Sequence, residues 1–194
     1  MPHATQLSDA DTALLVIDMQ DKLLPLIPAA RQLVRNIAFL IDGANLLGMP
    51  VLATEQYPRG LGPTVPELLG RLPERPDKVA FSCCAVASVV DGFRTGARPN
   101  LLLAGIEAHV CVLHTALDLL ARDFRVYIAV DAVGSRYAVD CVTALRRLEQ
   151  VGAIPTTTEG CLFEWVGGAS HPKFKEISRL VQARMKALAE DPAV

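Results

Sequence analysis

The sequence predicts a three-layer α/β/α domain, Rossmann-like, in which helices cover both faces of a six-stranded, mostly parallel sheet. Two patterns lead to it. Short apolar runs of strand length alternate with longer segments whose apolar residues recur at helical spacing, which is the signature of parallel strands joined by right-handed crossovers. The apolar content is 51% of 194 residues. It comes mostly from Ala, Val, Leu and Ile, the residues of strands buried on both faces. The length suits one domain, taken as residues 1–194, and no repeat or linker divides it.

The elements follow in order. Thr12–Ile17 is a buried-strand run ending at Asp18. Leu33, Val34, Ile37, Leu40, Ile41, Ala44 and Leu47 mark a helix that Gly48 stops. Residues 50–54 read as the second strand. A Pro/Gly-rich loop covers 57–66, with a short helix closing it near 64–69. Residues 77–81 have the character of a third strand, although Pro73 and Pro76 crowd its start. Residues 85–93 predict a short helix stopped at Gly96. Residues 100–104 form a fourth strand, ended by Gly105. Residues 109–121 place Val110, Leu113, Leu117 and Leu120 on one helical face. The fifth strand is 125–130, ending at Asp131, then a helix over 137–151 and a sixth strand over 154–158. Phe174, Ile177, Leu180, Val181 and Met185 mark a C-terminal helix.

Charge and composition narrow the partners. Lys+Arg 19 against Asp+Glu 21 gives a net charge of −2, no electrostatic footprint for nucleic acid. Aromatics at 5% supply no stacking platform for bases. No apolar stretch reaches membrane-spanning length. The cysteines number five, an odd count, and residues 1–11 are polar without a secretory apolar core, which points to free thiols in a reducing cytoplasm. The apolar loop over 60–69 would be served by a subunit interface, so a homo-oligomer is expected. The expected ligand is a small-molecule substrate, with no nucleic acid and no membrane.

In an open parallel sheet, ligands sit outside the carboxyl ends of the strands. That rule singles out Asp18, residues 54–57, residues 105–111 and Asp131. Asp18, partly desolvated, suits a general base; as a plain strand-end carboxylate it would cap the next segment. Cys111 follows Gly105 at the start of a helix, where free N–H groups and the helix dipole favour thiolate and could hold an oxyanion; otherwise it is a small buried hydrophobe. Lys78 could orient the carboxylate and stabilise a thiolate, or be a solvated surface side chain. Cys83, Cys84, Cys141 and Cys161 lack the strand–Gly–helix setting and read as ordinary thiols. His109 and His114 are five apart, and neither Asp-x-His nor Cys-x-x-Cys occurs, so no metal is expected. Gly60-Leu-Gly62 does not open a helix after a strand, so it reads as part of a lid or oligomer loop rather than a phosphate cradle. No cofactor is implied.

Taken together, Ala13-Leu-Leu-Val-Ile-Asp-Met-Gln20, Thr54-Glu-Gln-Tyr-Pro-Arg-Gly-Leu-Gly62, Lys78-Val-Ala-Phe-Ser82, Leu103-Ala-Gly-Ile-Glu-Ala-His-Val-Cys111 and Val130-Asp-Ala-Val-Gly-Ser-Arg136 resemble the isochorismatase-like cysteine hydrolase family, in its isochorismatase domain-containing branch. The resemblance covers roughly residues 11–185. It implies an Asp–Lys–Cys triad of Asp18, Lys78 and Cys111, an oxyanion site near Glu107 and Cys111, and a non-proline cis peptide at Ile106–Glu107. It also implies that the third strand ends at Lys78, because a triad lysine belongs at the carboxyl edge. Gln20, Gln56, Tyr57, Phe81 and His114 become substrate-pocket candidates, with packing behind the site as the alternative for each. Nicotinamidases of the superfamily carry an Asp-x-His metal motif after the second strand; here that region reads Glu55-Gln-Tyr-Pro-Arg59. Isochorismate-type vinyl-ether hydrolysis needs no cysteine nucleophile, so Cys111 points towards an amide-like C–N bond. Vinyl-ether hydrolysis and a non-catalytic binding role on the same fold stay as alternatives.

Overall fold

The computed structural model describes residues 3, 5–95 and 98–190. Six strands form one sheet: β1 (Thr12–Ile17), β2 (Val51–Gln56), β3 (Asp77–Lys78), β4 (Asn100–Ile106), β5 (Arg125–Gly134) and β6 (Ile154–Thr156). Their order is β3-β2-β1-β4-β5-β6, and every pairing between them is parallel. The chain builds outwards from β1 in one direction, then returns to lay β4 on its other side. The order therefore reverses between β1 and β4, and the carboxyl ends of all six strands share one edge.

The alternation of side chains along each strand divides the core. Leu14, Val16, Leu102, Ala104, Tyr127 and Ala129 face α1 (Ala30–Leu46), α7 (Thr158–Val166) and α8 (Phe174–Glu190). Ala13, Leu15, Leu101, Leu103, Val126 and Ile128 face α4 (Ala87–Thr95), α5 (Leu113–Leu120) and α6 (Ala138–Gln150). Burial on both faces is why these strands read as unbroken apolar runs. Two single-turn helices, α2 (Pro58–Leu61) and α3 (Pro66–Leu69), sit in the loop after β2. Arg184 clasps α8 to α1, bonding Asn36 Oδ1 at 2.7 Å and lying 4.6 Å over the Phe39 ring.

Several boundaries differ from the sequence reading, each for a local reason. β2 runs two residues past Thr54, because its end pairs with the two-residue β3. β4 does not stop at Gly105. Gly105 is paired with Ile17 at φ +121, and a side chain there would collide with the Ile17 backbone, so the glycine admits the close approach of β1 and β4. β5 continues through Asp131 to Gly134, following β4 past a register shift. The helix expected over 109–121 divides into a π-turn (Ala108–Val112) and α5. The short helix begins at Ala87, behind a 3-10 turn (Cys83–Ala85), and the expected stop at Gly96 lies outside the described residues. α7 carried no clear periodic signal. Its start is fixed by Asp131, whose two carboxylate oxygens accept from Thr158 N (2.8 Å) and Thr158 Oγ1 (2.7 Å). Asp131 thus anchors the start of a helix.

Candidate active site

Four strand ends bring one polar cluster together at the carboxyl edge. Asp18 follows β1 with φ +54, a left-handed turn that aspartate tolerates better than most residues, and its side chain is fully buried. Thr54 and Gln56 come from the end of β2, Lys78 ends β3, and Cys111 stands in the π-turn after β4. The Ile106–Glu107 peptide that leads into this turn is cis.

Lys78 is the hub. Its ammonium donates to Asp18 Oδ2 (2.7 Å), Gln56 Oε1 (2.7 Å) and the Phe81 carbonyl (3.0 Å). An ammonium has three protons, so each is committed. Burial, the largest single influence, would lower the Lys78 pKa, but the Asp18 carboxylate together with the neighbouring Cys83 and Cys111 sulfurs outweighs it and the net shift is upwards. The solvated-surface alternative for Lys78 therefore fails. The other Asp18 oxygen, Oδ1, accepts from Thr54 Oγ1 at 2.8 Å.

The Cys111 thiol is 5% exposed, faces Asp18 and lies 3.9 Å from Gln56 Oε1. The sequence placed it at a helix N-terminus where thiolate is favoured. The structure corrects this: desolvation first, and the Asp18 charge second, push the thiol well above its ordinary value, with Lys78 offsetting only part. These influences favour the protonated form of the Cys111 thiol.

The expected pocket residues fall into two groups. Gln20 and Gln56 stitch loops together. Gln20 Nε2 donates to the Gln56 (3.0 Å) and Gly62 (2.6 Å) carbonyls, and its Oε1 accepts from Gln56 N (2.7 Å). Gln56 Nε2 donates to the Val79 carbonyl (2.7 Å) while its Oε1 holds Lys78. Their amides serve the scaffold of the cluster. Tyr57, Phe81 and His114 instead lie at the surface, with the Phe81 and His114 rings 5.8 Å apart at 50°. Val79 beside them is 81% exposed. Ile106 is buried, and the Glu107 carboxylate is tied to Arg136 through its backbone N (2.9 Å) and Nε (3.1 Å). A surface cavity of about 640 Å³ lies at the amino end of β2, lined by Val51, Ala53, Arg75 and Ser88, and touches none of the cluster. The described residues contain no group of His, Cys, Asp or Glu that could hold a metal.

The parts played by two residues escaped the sequence reading. Thr54 was singled out only as one of the strand-end residues 54–57, with no role given, and Cys83 was grouped with the ordinary thiols. Cys83 is buried against the cluster: its Sγ lies 3.4 Å from Thr54 Oγ1 and its backbone N donates to Thr115 Oγ1 at 2.9 Å. Burial, then the Asp18 charge, push its thiol up to about 11. Only the 3-10 turn folds Cys83 inwards, and periodicity carries no trace of it.

Comparison with known proteins gives this geometry a setting. A family model described as the isochorismatase domain matches residues 12–160. "Isochorismatase domain-containing protein 2" of Bos taurus is 44% identical over 185 residues, 93% of this chain and 88% of the relative. The structure of "MAR1 Ribonuclease" from Caenorhabditis elegans shares 42% identity at a TM-score of 0.86, covering 92% of this chain and 93% of that one. The YcaC product of Escherichia coli, described as an octameric hydrolase of unknown specificity, has 23% identity and a TM-score of 0.80, covering 96% of this chain and 100% of the other; at that identity the likeness is one of fold.

Proposed function

The chain belongs to the isochorismatase family, and on that premise we propose that it is a cysteine hydrolase of a small amide-like substrate. The observation that carries this reading is the buried thiol of Cys111 facing a carboxylate whose partner, Lys78, has every proton committed. Asp18 accepts the thiol proton as Cys111 Sγ attacks the substrate carbonyl carbon. The tetrahedral oxyanion is held by backbone N–H groups near Glu107 and Cys111. The Val110 and Val112 amides are not among them, since both donate to the Glu107 carbonyl. Collapse breaks the C–N bond, and the leaving nitrogen takes the proton from Asp18. Water then attacks the thioester and gives its proton to Asp18. Collapse expels the Cys111 sulfur, which regains that proton as the acid product leaves. Lys78 fixes Asp18 and the Phe81 carbonyl rather than touching substrate.

Cys111 also separates this reading from vinyl-ether hydrolysis. A screen of wild type and Cys111→Ala over amides, imidates and isochorismate is the test. Amide turnover lost in Cys111→Ala supports the thiol mechanism, and isochorismate turnover retained in Cys111→Ala overturns it. Ribonuclease chemistry, named for the nematode neighbour, needs a cation for the phosphate, and the cluster's own cation is spent on Asp18, Gln56 and Phe81.

The proposal extends to a cytoplasmic homo-oligomer. The five cysteines are free thiols, and no helix among the described residues is long and apolar enough to cross a membrane. Tyr137 and Val139 at the start of α6 are 64% and 70% exposed, apolar surface of the kind that subunit contacts cover. A light-scattering mass of one chain overturns the oligomer.

A further inference from the structure

Asp18 must be both anionic and correctly aimed to take the Cys111 proton, and Lys78 secures only one of its oxygens. The other is held by Thr54 Oγ1 at 2.8 Å. A hydroxyl has one proton, and Thr54 gives its own to Asp18, since an ionised carboxylate has none to offer. Thr54 therefore approaches Cys83 Sγ, 3.4 Å away, as an acceptor. The only proton left for that contact is the one on the Cys83 thiol. The chain of donors runs Cys83 S–H to Thr54 O–H to Asp18, and Thr115 fixes its far end by accepting from Cys83 N at 2.9 Å.

We propose that Thr54 and Cys83 are positioning residues, a hydrogen-bond relay behind Asp18 that sets both the aim and the proton affinity of the base that activates Cys111. The relay rests on the cysteine-hydrolase reading above and deepens it. Thr54 and Cys83 are both buried, at 1% and 0% exposure, so each should act through the protonation of the Asp18–Cys111 pair. Burial keeps the Cys83 thiol protonated at neutral pH, with its value pushed up to about 11, as a donor in the relay requires. The titratable groups facing Asp18 are Lys78 from β3, Cys111 from the π-turn and Cys83 from the 3-10 turn. Of these, Lys78 bonds Oδ2 directly and Cys111 is the proton donor, leaving Cys83 as the one whose influence passes through Thr54.

The test uses the intact protein and needs no substrate. The rate of Cys111 alkylation by iodoacetamide is followed by peptide mass spectrometry from pH 5 to 9 in wild type, Thr54→Val, Thr54→Ser and Cys83→Ala, with thermal unfolding to establish that each is folded. A hydrogen bond to a charged group is strong enough to move a titration by about 1 pH unit. Thr54→Val should therefore reach half of its plateau rate about 1 pH unit above wild type. Cys83→Ala should shift the same way by less, because a thiol is a weak donor. Thr54→Ser, which restores the hydroxyl, should return to the wild-type profile. A profile for Thr54→Val or Cys83→Ala that coincides with wild type overturns the relay while leaving Cys111 as the nucleophile. If Thr54→Val does not fold, Cys83→Ala and Thr54→Ser carry the same decision. A wild type in which Cys111 shows no fast, pH-dependent labelling overturns the underlying reading and the relay with it.

Discussion

Replacing Lys78 by Met keeps most of the side-chain length and removes the charge. In the native protein the ammonium is buried and bonded to Asp18 Oδ2, Gln56 Oε1 and the Phe81 carbonyl at 2.7, 2.7 and 3.0 Å. The variant leaves a buried carboxylate with Thr54 as its remaining strong donor, and two further acceptors without their cation. Removing one member of a buried ion pair costs about 3–5 kcal/mol, because the survivor keeps its desolvation penalty without compensation. For a chain of 194 residues, each kcal/mol corresponds to about 2–4 °C, so Tm should fall by about 6–20 °C. Urea unfolding at pH 7 measures the loss, and a loss below about 1 kcal/mol refutes the view that Lys78 exists to hold a buried carboxylate.

Other predictions follow from the same structure. Gly105→Ala should destabilise by about 3 kcal/mol or more, from a backbone angle closed to L side chains and a collision with the Ile17 backbone; Gly48→Ala, at φ +68 with open space around it, should cost only about 1–2 kcal/mol. Equal losses in the two variants would defeat the close-approach argument. Stability should also fall in alkali. Lys78 and Cys83 both have raised folded values, so their contributions are complete below their ordinary values and disappear as pH rises through the folded ones. For Cys83 the window is 9.0 to about 11, and Cys83→Ala should reduce the alkaline loss by about 3 kcal/mol at most. Identical pH–stability curves for wild type and this variant would contradict it.

The sequence carried the strands well because burial on both faces writes them as continuous apolar runs: Thr12–Ile17 coincides with β1. It also placed Asp18 and Cys111 at the carboxyl edge of the sheet, since in a parallel sheet every strand end arrives there. It failed where tertiary contacts, rather than local pattern, set the outcome. β5 passes through Asp131 because β4 offers it a partner, and Asp131 finds its own in Thr158, remote along the chain. Lys78 needed the family resemblance, because a lone lysine among prolines looks solvated until the fold buries it. Gln20 and Gln56 lie beside the cluster, but the Gln20 amide is spent on backbone groups, and the Gln56 amide on the Val79 carbonyl and Lys78. The Cys111 environment was misjudged because helix position suggested a lowered value, whereas desolvation and a facing carboxylate raise it. Cys83 was invisible because nothing in Ser82-Cys83-Cys84 says which thiol turns inwards.

The central claim is that Cys111 is activated by Asp18 rather than by exposure, and competitive alkylation of all five cysteines tests it most directly. Exposure alone ranks Cys84 and Cys141 first, since both are half-buried while Cys83, Cys111 and Cys161 are buried. Activation ranks Cys111 first. Brief treatment of the folded protein with iodoacetamide at neutral pH, followed by peptide mapping, should show Cys111 modified ahead of Cys84 and Cys141, and this lead should vanish in Asp18→Asn. Cys84 and Cys141 modified first, with Cys111 silent until the protein is unfolded, would contradict the account.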